Sequence, residues 1–168
     1  MIRGLPQITQ IRGESNKEGN AEMPEKETLE RAREDKREGK AASTQAGEFV
    51  REEIEHIREG KHGARSTKQA IAIGLSKARR AGVDLPPSKT ASKETKEQAK
   101  RDLKKGAKGG AKKTSAKRSR ATRAALKREG HSAASKTALS RQAKSAAKKR
   151  SAADRSRAAK KAAKTRKK

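Results

Sequence analysis

The sequence predicts an all-α protein, with a small helical hairpin of two to three helices followed by a long intrinsically disordered basic tail that has helix-forming tendency. Two observations predict it: the charge is unevenly distributed, and apolar residues recur at helical spacing between residues 43 and 87. The 168 residues include 47 Lys or Arg and 20 Asp or Glu, a net charge of +27. Residues 1–87 carry 17 basic and 15 acidic side chains, and residues 88–168 carry 30 and 5.

We divide the chain into four segments on composition: a disordered leader (1–22), a charged helix (23–42), the hairpin (43–87) and the basic tail (88–168). The leader shares no periodicity with the other three segments, and Met23-Pro24 opens a helix-start sequence. Lys17-Glu18-Gly19 can be encoded by a purine-rich ribosome-binding sequence. We therefore hypothesise that Met23 is the native start. The charged helix, at 24–38, has Leu29 as its one large apolar residue.

The first hairpin helix is predicted to begin at an N-cap, Ser43 or Thr44, and to end at Gly60. Its apolar stripe consists of Ala46, Val50, Ile54 and Ile57, flanked by Phe49. Four glutamates lie on the opposite face, and we expect them to form an acidic stripe that could dock a basic partner or the chain's own tail: Glu48, Glu52, Glu55 and Glu59.

The second hairpin helix is predicted to begin at Ser66 or Thr67 and to end at Gly82, before Pro86-Pro87. Val83 and Leu85 are expected to fold back on the hairpin. Ile73 points away from the stripe of Ile71, Leu75 and Ala78. Either it forms a homodimer contact, or it packs on the charged helix or on Leu85.

The tail has too few large apolar side chains to form a core, since Leu103, Leu126 and Leu139 are its only ones. It contains three helix-start signals, at Thr114-Ser115, at Ser135 and at Ser151 with Asp154. Like charges three and four residues apart oppose these helices until something neutralises them. We expect a tail that is mostly disordered alone and more helical on a polyanion; the alternative is a flexible solubilising tail without a partner.

Residues 23–87, and the segment KQAIAIGLSKA above all, resemble a small bacterial family of unknown function found in short basic proteins. The resemblance implies a bacterial cytosolic protein and no established chemistry. The tail is similar in composition to the Lys/Ala-rich tails of linker histone H1 and to bacterial histone-like proteins. That similarity implies DNA compaction by charge neutralisation. The Ser/Thr-Pro-Lys-Lys motif of linker histones is not present.

Catalytic and cofactor signatures are not found in the sequence. It has no cysteine, no Walker A pattern and no nucleophile elbow. A metal site formed by His56, His62 and Glu59 is conceivable, but its spacing does not favour it. The sequence therefore predicts a non-enzymatic protein with no cofactor, no metal and no membrane segment.

One loop could hold a phosphate, because residues 60–68 bring glycines, cations and hydroxyls to a helix N-terminus. The alternative is that Ser66 or Thr67 only caps the helix and the cations are solvated. The predicted phosphate-binding residues are Lys61, Arg65, Ser66 and Lys68 in this loop, and Lys112, Lys113, Lys117, Arg118, Arg120, Arg123, Lys148, Lys149, Arg150, Lys160, Lys161, Lys164, Arg166, Lys167 and Lys168 in the tail.

The residue types in the tail favour contacts with the backbone of a duplex over the reading of bases. Of its 30 cations, 20 are lysine, which binds phosphate as a point charge. The tail has no aromatic residue on which an unpaired base could stack. We expect sequence-independent binding to double-stranded DNA, in the manner of a nucleoid-associated protein in the bacterial cytoplasm. The alternatives are an RNA- or ribosome-associated protein and a protein-interaction module that uses the acidic stripe.

Overall fold

The computed structural model describes residues 24–88, 90–108 and 115–166, with side chains as far as residue 164. This part of the chain contains helices and no strands, so the predicted all-α class is confirmed. The predicted count of two to three helices is wrong. The seven α-helices are α1 (Lys26–Arg37), α2 (Ala42–Arg58), α3 (Thr67–Arg80), α4 (Lys93–Ala107), α5 (Ala116–Lys127), α6 (Lys136–Lys148) and α7 (Ala152–Arg166), with a 3₁₀ turn at Ser132–Ala134.

Helices α2 and α3 pack against each other along their length, as the periodicity predicts. Ile54 and Ile57 form one buried cluster with Ala70, and Phe49 forms a second with Ala78. Gly74 allows the close approach between the helices, since a Cβ at this position would lie 2.7 Å from the Cα of Val50. The glycine at this crossing therefore lets the backbones of α2 and α3 touch directly.

The predicted ends of the hairpin helices are mostly confirmed. Gly60 and Gly82 have positive φ values of 75° and 95°, the conformation in which glycine ends a helix. Ser66 caps α3 by accepting a hydrogen bond from the Gln69 N–H. The predicted cap at Ser43 or Thr44 is wrong, because α2 begins at Ala42 and has no side-chain cap.

Helix α1 packs against α2 and shares the Phe49 cluster with it. Ala32 is buried in the Phe49 cluster, with Leu29 half-buried beside it. The predicted return of the chain after α3 is confirmed, since Val83 is buried and Leu85 half-buried in the same cluster. Helix α2 is therefore in contact with both α1 and α3.

Helix α4 extends this helical body into the segment predicted as tail. Its Ala99 and Asp102 are buried against α3. The Asp102 carboxylate accepts hydrogen bonds from Ser76 Oγ at 2.7 Å and from Arg80 Nε at 3.2 Å. A Cβ on Gly106 would lie 2.2 Å from the Arg79 carbonyl oxygen, so only glycine allows this approach. Small and polar residues thus build an interface that no apolar stripe predicts.

The 126–134 segment packs on the loop between α2 and α3. The N–H groups of Gly63 and Ala64 donate to the carbonyls of Leu126 and Gly130 at 2.9 and 3.1 Å. Ala133 and Ala134 are buried in the Ile57 cluster, and Leu139 of α6 packs against it. The start of α6 is therefore held on the helical body.

Disorder of residues 88–168 is not shown, because the described parts of that segment form four α-helices. Three of them begin at the predicted signals: Ser115 precedes α5, Ser135 caps α6 and Ser151 precedes α7. The predicted leader, residues 1–22, and the proposed start Met23 lie outside the described residues. Among the helices described, none has the length and apolar character needed to cross a bilayer.

Candidate functional site

The C-terminal helices form a cationic surface with almost no acidic residues. From residue 115 to 166 the chain has 18 Lys or Arg against Glu129 and Asp154. Every side chain from Ala143 to Lys164 is exposed. Nothing in the described protein therefore covers the end of α6 or α7, and their charges face solvent.

Helix α7 begins with the predicted capping box. Ser151 Oγ accepts a hydrogen bond from the Asp154 N–H at 3.1 Å and donates to the Asp154 carboxylate at 2.7 Å. Hydrogen bonds from Ser151 and Arg157 lower the pKa of Asp154 below its ordinary value. The remainder of α7 has no packed apolar face, so its cap and its alanines are what favour the helix.

The predicted phosphate-binding residues of the tail are exposed wherever the structure describes them, except Arg123, which is half-buried and bonded to Ser119. Others lie outside the described side chains. The exposed residues are Lys117, Arg118, Arg120, Lys148, Lys149, Arg150, Lys160, Lys161 and Lys164; those outside the described side chains are Lys112, Lys113, Arg166, Lys167 and Lys168.

The loop at 60–68 is occupied by the protein's own groups, which argues against the predicted phosphate cradle. Lys61 Nζ pairs with Glu25 at 3.2 Å and with Glu59 at 3.0 Å. Ser66 caps α3, and Thr67 donates its hydroxyl to the Ala133 carbonyl at 2.7 Å. The N–H groups of residues 63 and 64 are already bonded to the 126–130 segment. Ser66 therefore caps α3, Lys61 is ion-paired, and Arg65 and Lys68 are exposed cations, so phosphate binding by this loop stays a prediction.

Contacts within the protein take up part of the predicted acidic stripe. Glu52 is only 2% exposed, because α1 covers this side of α2, and it accepts a hydrogen bond from the Glu25 N–H at 3.2 Å. Glu48 pairs with Arg31 of α1 at 2.7 Å. Glu55 pairs with Arg51, and Glu59 pairs with Lys61. Glu52 is thus internal to the fold, whereas the side chains of Glu55 and Glu59 are 47% and 57% exposed, and docking through the stripe stays a prediction.

Ile73, the predicted dimer contact, is half-buried on α3. It belongs to neither buried apolar cluster of the described residues. Its partial exposure is compatible both with a homodimer contact and with packing inside one chain, and the homodimer stays a prediction.

A buried polar cluster lies between α2, α3 and the loop after α2. Glu53 has a side chain that is 0% exposed, and Lys77 Nζ lies 2.8 Å from its Oε2 and 3.8 Å from Oε1 of Glu52. Both oxygens of Glu53, Oε1 of Glu52 and Nζ of Lys77 make no hydrogen bond of acceptable geometry within the described protein. Two buried carboxylates therefore face a single ammonium group.

Two histidines adjoin this cluster. His62 places Nε2 at 3.4 Å from Oε1 of Glu53, and its Nδ1 lies 3.2 Å from the Gly63 carbonyl oxygen. His56 Nε2 lies 2.9 Å from Oε1 of Glu25. Hydrogen bonds from His56 and then Lys61 lower the pKa of the Glu25 carboxyl. One ligand atom each from Glu53, His56 and His62 falls within 4.8 Å of the other two.

The conceivable metal set of His56, His62 and Glu59 is therefore wrong in its carboxylate. Glu59 turns to Lys61, and Glu53 takes its place beside the histidines. The spacing of Glu53 and His56, three residues apart on one helix face, is a signal that the sequence does contain. Nothing in the sequence shows that the loop brings His62 back to them.

The match to a known family covers this part of the molecule. Residues 33–90 match DUF6496, a family of unknown function. The DUF6496 segment includes α2, α3 and every member of the buried polar cluster, and it ends before α4. No curated protein and no solved structure matches the chain.

Proposed function

We propose that this protein binds double-stranded DNA without sequence preference by neutralising phosphates with the cations of α5, α6 and α7. The observation that carries the proposal is the continuous exposed surface of residues 143–164, which holds nine basic side chains and one acidic one. Cations that approach phosphates release condensed counterions, and this supplies most of the free energy of non-specific binding.

The environment of the single aromatic residue supports a duplex over a single strand as the target. Proteins that bind single strands stack bases on exposed aromatic side chains. Phe49 is the chain's only aromatic residue, and it is 1% exposed in the core. Binding must therefore rest on charge. A duplex suits this mode, because it presents about one negative charge per 1.7 Å of its axis.

The spacing of the basic residues along α7 also supports the proposal. Arg157, Lys160 and Lys164 lie at helical spacing on α7, where like charges oppose the helix. Phosphates laid along this face would remove that repulsion, so binding and helix stability should reinforce each other. The body of α1 to α4 then serves as the anchor from which the basic helices project. A location on the nucleoid is part of this proposal.

Fluorescence anisotropy with the untagged full chain tests the proposal. We expect dissociation constants that agree within about fivefold for labelled duplexes of unrelated sequence, because phosphate contacts carry no sequence information. Single-stranded DNA of equal length should bind more weakly, since its salt-dependent term per contact is smaller, about 0.7 against 0.9.

Three outcomes would contradict the proposal. The first is a preference above about 100-fold for one duplex sequence, which base contacts or the reading of DNA shape would produce, but phosphate neutralisation would not. The second is duplex RNA binding more than tenfold tighter than duplex DNA, which would favour the RNA-associated alternative. The third is the absence of binding to any nucleic acid at low salt.

A further inference from the structure

We propose that Glu53, His56 and His62 bind one divalent transition-metal ion of the zinc class. The inference goes beyond nucleic-acid binding and concerns the helical body alone. It begins with the geometry of the three side chains, whose ligand atoms all lie within 4.8 Å of one another. Two imidazoles and a carboxylate form a donor set typical of zinc, whereas calcium and magnesium prefer oxygen alone.

The second observation is that the buried Glu53 carboxylate makes no hydrogen bond among the described residues and has an ammonium group beside only one of its oxygens. Its side chain is 0% exposed, and neither oxygen makes a hydrogen bond within the described protein. A buried carboxylate without hydrogen bonds is costly, so a native structure normally supplies a donor or a cation. Lys77 lies beside Oε2, and this leaves Oε1 directed at His62.

The contact between His62 and Glu53 fits a shared ion better than a direct hydrogen bond. Nδ1 of His62 faces a carbonyl oxygen, which can only accept, so Nδ1 carries the proton in this contact. In the neutral ring Nε2 then has a lone pair facing the Oε1 lone pairs. The 3.4 Å separation of Nε2 and Oε1 is longer than a usual hydrogen bond. With ligand distances of about 2.0 to 2.1 Å, two ligands of a tetrahedral ion lie about 3.3 to 3.4 Å apart.

The charge balance of the cluster also calls for a cation. Glu52 is 2% exposed, Glu53 is fully buried, and Lys77, with a side chain 6% exposed, is the only buried ammonium group beside them among the described residues. Two carboxylates against one ammonium leave one negative charge uncompensated, which the protein interior disfavours. A divalent ion on Oε1 of Glu53 reverses this deficit. The competing explanation is that His62 itself becomes doubly protonated.

Each of the two histidines has one ring nitrogen held by a second group, as is usual for a histidine that binds a metal ion. His62 is fixed through Nδ1 by the Gly63 carbonyl, and His56 is fixed through Nε2 by the Glu25 carboxylate. Such outer contacts set the ring orientation of a metal ligand. Water would supply the fourth ligand of a tetrahedral ion. The ion would link α2 to the loop on which the 126–134 segment packs.

Zinc titration of the untagged, chelator-stripped full chain against a chromogenic chelator tests the site, with nucleic acid removed by nuclease and high salt. We expect one ion per chain. Both Glu53→Gln and His56→Gln should weaken zinc binding by more than about 100-fold, beyond the 10- to 100-fold cost of losing an outer contact. The control is His131→Gln, an exposed histidine outside the cluster, which should bind zinc like the unchanged protein.

Cobalt(II) provides a second readout that does not depend on any variant. The intense visible absorption of tetrahedral cobalt supports the site, and a weak octahedral spectrum contradicts it. Zinc binding that is equally strong in His56→Gln, or equally weak in the unchanged protein and His56→Gln, overturns the proposal. Should Glu53→Gln fail to fold, as judged by circular dichroism, the half-buried His56 variant and the cobalt spectrum still decide.

Discussion

Binding to duplex DNA is expected to weaken about 1,000- to 100,000-fold when monovalent salt is raised from 50 to 200 mM, provided that about six to ten phosphates are contacted. The exposed cations from residue 143 to 164 number nine, and α5 adds Lys117, Arg118 and Arg120. The surface therefore has enough charge for contacts of that number. Each phosphate contact releases counterions, and added salt opposes that release.

Anisotropy at five or more salt concentrations measures this effect as the slope of log affinity against log salt. The expected slope is about −5 to −9, from roughly −0.9 per contact. A slope near zero contradicts phosphate neutralisation even if the protein binds DNA, because it would assign the affinity to apolar or base contacts.

Replacement of Ile57 by alanine is expected to lower the free energy of unfolding by about 2 to 5 kcal/mol. Ile57 is 0% exposed at the centre of the cluster that joins α2, α3 and the 133–134 turn. Truncation removes buried methyl groups and leaves a cavity that helices on two sides cannot readily close. Urea denaturation followed by circular dichroism measures the change.

Ile73→Ala is the matched control, since it removes the same atoms from a half-buried site on α3. We expect a cost below about 1.5 kcal/mol, because less apolar area is lost. Equal losses for the two variants would contradict the core as described. Sedimentation of Ile73→Ala also tests the predicted homodimer, which requires that this side chain be covered by a second copy.

The strongly periodic part of the fold could be predicted from the sequence, because its interface is made of large apolar residues at regular spacing. Ile54, Ile57 and Phe49 are buried as expected. Helix α4 could not be predicted in this way. Its packed face consists of Ala99, Asp102 and Gly106, residues that read as solvated in a basic segment. Their spacing is helical, but what makes them a contact surface is the complementary Ser76 and Arg80 on α3.

The polar sites also divide into features that the sequence predicts and features that it does not. A stripe of glutamates on one helix face is usually solvated, and the sequence does not reveal that α1 covers Glu52 or that Lys77 reaches Glu53. The His62 position depends on a loop whose N–H groups are bonded to carbonyls some 65 residues later in the chain. Such long-range contacts leave no periodic signal. The exposed cations of α6 and α7, in contrast, need no partner within the chain and could be recognised from composition.

The location of the phosphate contacts is the most direct test of the central claim. We compare Lys144, Lys148, Lys160 and Lys164 changed together to glutamine with a control in which Lys26, Arg33, Lys36 and Arg37 of α1 are changed. All eight side chains are exposed, and both variants lose four charges. The account predicts that the salt slope shrinks by up to about 3.6 in the first variant, at roughly 0.9 per lost contact, and stays unchanged in the control. An equal decrease in both variants, or none in the first, would contradict it.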